Sequence, residues 1–189
     1  DLLLFAKEHQ LKIATIADLI AYRRRSEKLV SRLSDTMLKT RNTGDWRMIV
    51  YANNLEYAEH VALVKGEINS SKPTLVRMHA FNPLVDVLND AEEKNATSLD
   101  IAMQAINTNG SGVVVILREP VKTSLSDRIR KRLGEPTQSN MDLRDYGIGA
   151  QILLDLGVHE MTLLSNSQRA IVGLEGYGLK VAGWQAIHG

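Results

Sequence analysis

Two short stretches hold residues whose types and spacing could do chemistry. In Val76 to His79 (VRMH) a guanidinium and an imidazole, Arg77 and His79, alternate along an apolar run. On a strand that spacing turns both side chains to one face, where they either meet a ligand or face solvent. In Asp142 to Asp145 (DLRD) two carboxylates and Arg144 stand before a run of helical period. Acids at such a place also cap free N–H groups and suit the positive end of the helix dipole. His79, Asp86 and Glu93 carry metal-ligand chemistry, but their spacing matches no standard metal pattern. The chain has no cysteine, which excludes a disulfide framework and a thiolate zinc site and permits a reducing compartment.

The charge balance names no partner. Lysine and arginine total 23 against 22 acids, a net charge of +1, so no field recruits nucleic acid or a lipid surface. Arg23, Arg24 and Arg25 follow an apolar run, as a solvated helix end does, and a basic patch is the competing reading. No apolar run approaches the ~20 residues of a membrane span, and the opening DLLLFAKEHQ is too short and acidic for a signal peptide. We therefore expect a soluble, cytoplasmic protein with no nucleic-acid or membrane partner. With 189 residues, 44% of them hydrophobic, the chain can bury the core of one main domain plus an extension.

The elements that would position these residues follow from period and punctuation. Leu2 to His9 has helical spacing, Lys12 to Ala17 suits a short strand or turn, and the polar stretch Ser26 to Gly44 reads as a linker. Arg47 to Tyr51, His60 to Ile68 and Thr74 to His79 read as strands separated by turn residues. Leu99 to Ile106 predicts a buried helix ended by Gly110, and Val113 to Leu117 (VVVIL) a strand covered on both faces. Ser126 to Leu133 is a basic helix, Gly134 to Asn140 a loop, and Asp145 to Leu156 an amphipathic helix ended by Gly157. Met161 to Leu164 is a strand, Ala170 to Tyr177 a helix closed by Gly178, and a last strand starts near Leu179. This alternation implies a layered α/β domain whose sheet is largely parallel in its second half.

Two longer stretches carry a family resemblance. DLRDYGIGAQILLDLGV from Asp142 and LLSNSQRAIVGLEGYGL from Leu163 resemble the GTP cyclohydrolase II family, zinc enzymes that open the guanine ring of GTP at the start of riboflavin synthesis. The likeness extends back through HVALVKGEI and VRMH and covers roughly residues 43 to 182. FAKEHQLKIATIADLIAYRRR is similar instead to the closing stretch of 3,4-dihydroxy-2-butanone 4-phosphate synthase, which many bacteria fuse upstream of the cyclohydrolase. The resemblance thus implies an α/β/α cyclohydrolase II-like domain with a mixed sheet. It would span residues 43–189, after a synthase remnant (1–25) and a linker (26–42).

In register with that family, the three zinc-cysteine positions become Asn82, Glu93 and Asn95, so no metal cofactor is expected here; the family uses zinc and the fused synthase magnesium. The glycine-bearing GTP loop becomes Arg118, Glu119, Pro120, Val121 and Lys122, and the segment holding the family's catalytic tyrosine is shortened. Ser165 replaces a phosphate-binding threonine and Ala170 a lysine. Asp142 matches the family's proton acceptor, Arg144 its proposed nucleophile, and Arg77 and His79 its nucleotide-contacting strand end.

Three functions from different classes follow. The first is a domain without cyclohydrolase catalysis, kept as a structural, dimer-forming or regulatory partner of the synthase. The others are a working cyclohydrolase with an atypical metal arrangement, and a module that binds GTP or a related nucleotide without turnover. The expected partners are such a nucleotide, the upstream synthase domain and a second copy of the chain. Loss of the metal removes a Lewis acid and an activated water, which favours the first reading.

Overall fold

The structure is a computed structural model. It describes residues 2–14, 22, 27–54, 58–69, 71–90, 99–119, 121–136, 144–166, 174 and 177–187, with the backbone alone for 144–146. A short helix, α1 (Leu2–Glu8), precedes the strands β1 (Val30–Thr40), β2 (Gly44–Asn53), β3 (Glu59–Lys65) and β4 (Thr74–Ala80). Then follow α2 (Pro83–Asp86), α3 (Leu99–Asn109), β5 (Gly112–Leu117), α4 (Ser124–Arg132), α5 (Arg144–Asp155), β6 (Glu160–Leu164) and β7 (Lys180–Gln185).

The described strands form one seven-stranded mixed sheet in the order β1-β2-β3-β5-β4-β6-β7. Its first half is antiparallel through the β3–β5 pair, and β5, β4, β6 and β7 are parallel neighbours. Both faces are covered, which is why β5 is apolar throughout. On one face Val113 and Val115 pack with Ile148, Ile152 and Leu153 of α5 and with Ile49, Ala62 and Val76. On the other, Val114 packs with Ala102, Met103 and Ile106 of α3 and with Trp46, Leu63, Leu75 and Leu164. The layered α/β/α arrangement expected from sequence is therefore the observed one. α3 and α5 run to the glycines expected to end them, Gly110 and Gly157.

The linker expected over residues 26–42 is corrected. Most of it is β1, paired with β2 from Val30↔Asn53 to Thr40↔Gly44. β1 hides from a hydrophobicity reading because it is an edge strand, buried at Val30 and exposed along most of its length. Backbone pairing and the turn hold it instead of side-chain burial. The Thr40 and Thr43 hydroxyls hydrogen-bond at 2.8 Å, and buried Trp46 donates Nε1–H to Thr43 Oγ1 at 2.8 Å. Arg32 ties the strand to α5 through the Asp155 carboxylate, 2.5 Å away, which also accepts the Tyr51 hydroxyl at 2.8 Å.

Some expectations lie wholly or largely outside the described residues: the apolar run before Arg23, the arginine cluster itself, and the helix over Ala170 to Tyr177. Lys12 to Ala14 carry no regular structure, and the rest of that expected strand or turn is not described. Among the described residues no helix is long and apolar enough to cross a membrane.

Candidate functional site

The chain leaves β4 through α3 on one face and leaves β5 through α5 on the other, so β5 and β6 flank β4 on opposite sides. In open α/β sheets that reversal opens a crevice at the carboxyl ends of the strands. The residues ending β4, β5 and β6 are those the sequence singled out.

Val76 and Met78 belong to the α5 face, so strand alternation turns Arg77 and His79 to the α3 face. Half-buried Arg77 donates from Nη1 to the Leu164 carbonyl at 3.1 Å. The next residue is Ser165, buried, with its amide held by the Gln185 carbonyl at 3.0 Å. Arg77 and Ser165 are thus brought to one edge, where β4 meets β6.

His79 is used differently. It is buried, and its Nε2 lies 2.9 Å from Asp86 Oδ2, which also accepts the Asn82 amide at 2.8 Å. Burial alone would raise the Asp86 pKa, but the bonds from His79 and the Asn82 N–H outweigh it and hold it below the usual carboxylate value. The carboxylate is therefore ionised at neutral pH and accepts a hydrogen bond from His79 Nε2–H. Asn82 is the N-cap of α2, its Oδ1 accepting the Leu84 amide at 3.2 Å, with Pro83 in the first helical turn. Asn82 and Asp86 so satisfy one another's helix-end groups, much as a capping box does.

That geometry bears on the zinc site implied by the resemblance. Position 82, where the family has its first thiolate, carries a carboxamide already spent on a helix amide. Glu93 and Asn95 lie outside the described residues. Among the described residues no three His, Cys, Asp or Glu side chains converge as a metal cluster. A three-thiolate zinc centre does not fit this chain, which has no cysteine and at its first ligand position a helix cap.

The end of β5 is closed by α4. Arg128 donates to the Phe81 carbonyl at 3.2 Å and to Glu119 Oε2 at 3.3 Å, joining the ends of β4 and β5 where the resemblance places a phosphate loop. Asp142 lies outside the described residues, as do Pro120 and Ala170, and Arg144 is the first residue of α5 with its side chain undescribed. A separate cleft of about 260 Å³ lies beside the far end of α5, lined by Glu27, Lys28, Gln151, Asp155 and Tyr177 among others. Gln151 there accepts the Leu29 amide at 2.7 Å and donates to the Glu27 carbonyl at 2.8 Å, so this cleft is a seam between β1 and α5.

Sequence reasoning missed three site-edge groups. Arg128 and Glu119 read as ordinary surface charges. His60, inside an apolar strand, is almost wholly buried, with Nδ1 accepting the Arg118 amide at 3.2 Å and no hydrogen-bond partner for Nε2. Burial, and then the Arg118 charge, push its pKa down to about 4. The unfolded imidazole takes a proton near pH 6.5 and the folded one only near 4. Stability should therefore fall as pH drops across that interval, by up to about 3 kcal/mol, and level off below it. Urea unfolding of wild type and His60→Asn, which keeps an acceptor for the Arg118 amide, tests this. An equal slope of stability against pH in both proteins would remove His60 as the cause.

A layered α/β/α domain with a cleft at the switch point of its parallel strands is the class of protein these features define. The family model described as GTP cyclohydrolase II matches residues 31–186, and the chain belongs to the GTP cyclohydrolase II family. That match begins inside β1, in keeping with the strand found there. The chain is 40% identical over 197 residues to riboflavin biosynthesis protein RibBA of Bacillus mycoides, covering 96% of this chain and 48% of the relative. The RibBA of Salinispora tropica is 41% identical over 194 residues with the same coverage. Among solved structures, RibBX of A. baumannii, a two-domain 3,4-dihydroxy-2-butanone 4-phosphate synthase, is similar with a TM-score of 0.55 and 30% identity. That match covers 100% of this chain and 49% of RibBX. The chain spans about half the length of the curated relatives it matches.

Proposed function

We propose that this chain is the cyclohydrolase II-like part of a cytoplasmic riboflavin-biosynthesis fusion protein, without cyclohydrolase chemistry. On this reading it is kept as a structural, dimer-forming or regulatory partner of an attached synthase domain. One observation carries the reading: Asn82, at the first thiolate position of the family, is built into the fold as the cap of α2. The chain's two-domain structural neighbour, named as a synthase, supports the same assignment.

The magnitude of the loss matters. A zinc-bound water supplies a nucleophile with a pKa near 7 together with a Lewis acid. Two carboxamides and one carboxylate supply neither. The purified chain is expected to hold no stoichiometric zinc and to release no formate from GTP. About one zinc per chain, with formate release stopped by a chelator, would overturn this and establish an active enzyme with another metal arrangement.

A nucleotide-binding role without turnover is favoured by one further observation, the placing of Arg77 beside Ser165 at the β4–β6 edge. A cation and a hydroxyl at a switch point suit a phosphate. Calorimetry with GTP in the same experiment separates the two readings: saturable binding without formate release assigns a sensor, and flat heats assign the structural role.

A further inference from the structure

The outer side of α4 is the surface that neither the fold nor the candidate site uses. Val121, Leu125, Ile129 and Leu133 recur every fourth residue and are 43, 50, 38 and 67% exposed. Isolated exposed aliphatics are ordinary, but four in register on one short helix and its flanks form a stripe of the kind partner helices read.

The helix cannot roll to bury that stripe. Asp127, on the opposite side, is buried, accepts the Thr123 hydroxyl at 2.7 Å and lies 3.5 Å from Arg130. Arg128 is held by Phe81 and Glu119, and Arg132 is paired with Asp90. These ties on the other sides of α4 keep the stripe facing outward.

The charge around it is one-sided. Between Val121 and Pro136 stand Lys122, Arg128, Arg130, Lys131 and Arg132 against Asp127 and Glu135 alone, and Asp127 is buried. A second copy of the chain would bring like charges together, which disfavours self-pairing. Four aliphatic groups without an aromatic anchor are a weak membrane hold.

We propose that the outer face of α4 is a docking site for an acidic amphipathic helix of a partner protein, whose leucine-type side chains cover Val121, Leu125, Ile129 and Leu133 while its carboxylates meet Lys122 and Arg130. The surface stands apart from the β4–β6 edge, so the inference does not depend on whether GTP binds.

The probe is a labelled synthetic helix of about 15 residues with a leucine stripe flanked by glutamates, titrated with the full chain by fluorescence anisotropy. Saturable binding in the micromolar range is expected, weakening with added salt. Leu125→Gln with Ile129→Gln, and separately Lys122→Glu with Arg130→Glu, should each weaken it about tenfold or more. All four sites are exposed, and an unchanged thermal melt confirms that the variants remain folded. No saturation, equal binding by the variants, or equal binding of a lysine-flanked peptide overturns the proposal. Sedimentation showing a dimer that Leu125→Gln dissolves would assign the stripe to a second copy. Binding to phosphatidylglycerol vesicles in place of the peptide would assign it to lipid. Either result displaces the acidic helix.

Discussion

Replacing Asp86 by alanine is expected to lower the unfolding free energy by about 3 kcal/mol. The carboxylate accepts both the His79 imidazole and the Asn82 amide, in a place where its side chain is almost fully buried. Without it two buried donors have no acceptor, each costing roughly 1–3 kcal/mol, and the relief of no longer burying the charge offsets only part of that. Asp86→Asn keeps one acceptor oxygen and should cost less, about 1–2 kcal/mol.

Acid supplies a second readout of the same pair. A carboxyl group whose folded pKa lies below its unfolded value stabilises the fold above about pH 4 and loses that contribution as pH falls through the lower, folded value. Wild type should therefore lose stability more steeply than Asp86→Asn below about pH 4, the region in which the unfolded carboxyl takes up its proton. Chemical unfolding at a series of pH values measures both effects. A cost under about 0.5 kcal/mol for Asp86→Ala at pH 7 would show that the corner between β4 and α2 does not rest on this carboxylate.

The other large effect sits at Gly112, where β5 begins. A Cβ there would stand 2.6 Å from the Leu75 carbonyl oxygen and 2.9 Å from Ile106 Cγ2, and the backbone has φ +155°. Leu75 is in β4, the parallel neighbour of β5, and Ile106 is wholly buried in α3, so neither can retreat without moving an element. Gly112→Ala should cost about 3 kcal/mol or more.

Gly149 in α5 supplies the contrast. A Cβ there collides with Met78 Cε, the free end of a flexible side chain that can turn aside, so Gly149→Ala should cost only about 1 kcal/mol. Equal destabilisation of the two variants in urea titrations would mean that the β4–α3–β5 contact is softer than its geometry.

Much of the fold was legible because burial leaves a pattern. Strands β2 to β5 and helices α3 and α5 bury a face or both faces, and their apolar spacing announces it. β1 left no such trace, since an edge strand exposed along most of its length is specified by the partner's backbone. At the site, alternation alone placed Arg77 and His79 on one face of β4. It did not foresee that they part company, Arg77 turning to Leu164 beside Ser165 and His79 to Asp86.

Asn82 shows the same division. Asn-Pro followed by an acid three residues on is a legible helix start, yet the cap became visible only with α2 in place. His60 and the Arg128–Glu119 pair carried no local signal, because their roles come from β5 and the end of β4, far away in the chain.

By itself the sequence determined the layered class, most of the elements and the absence of any thiolate, since residue type and period are local quantities. Only the tertiary structure decided that β1 joins the sheet, that position 82 holds a helix end and that the aliphatic stripe of α4 stays outside. Each of those depends on partners distant in the chain, whose hydrogen bonds and packing no local pattern encodes.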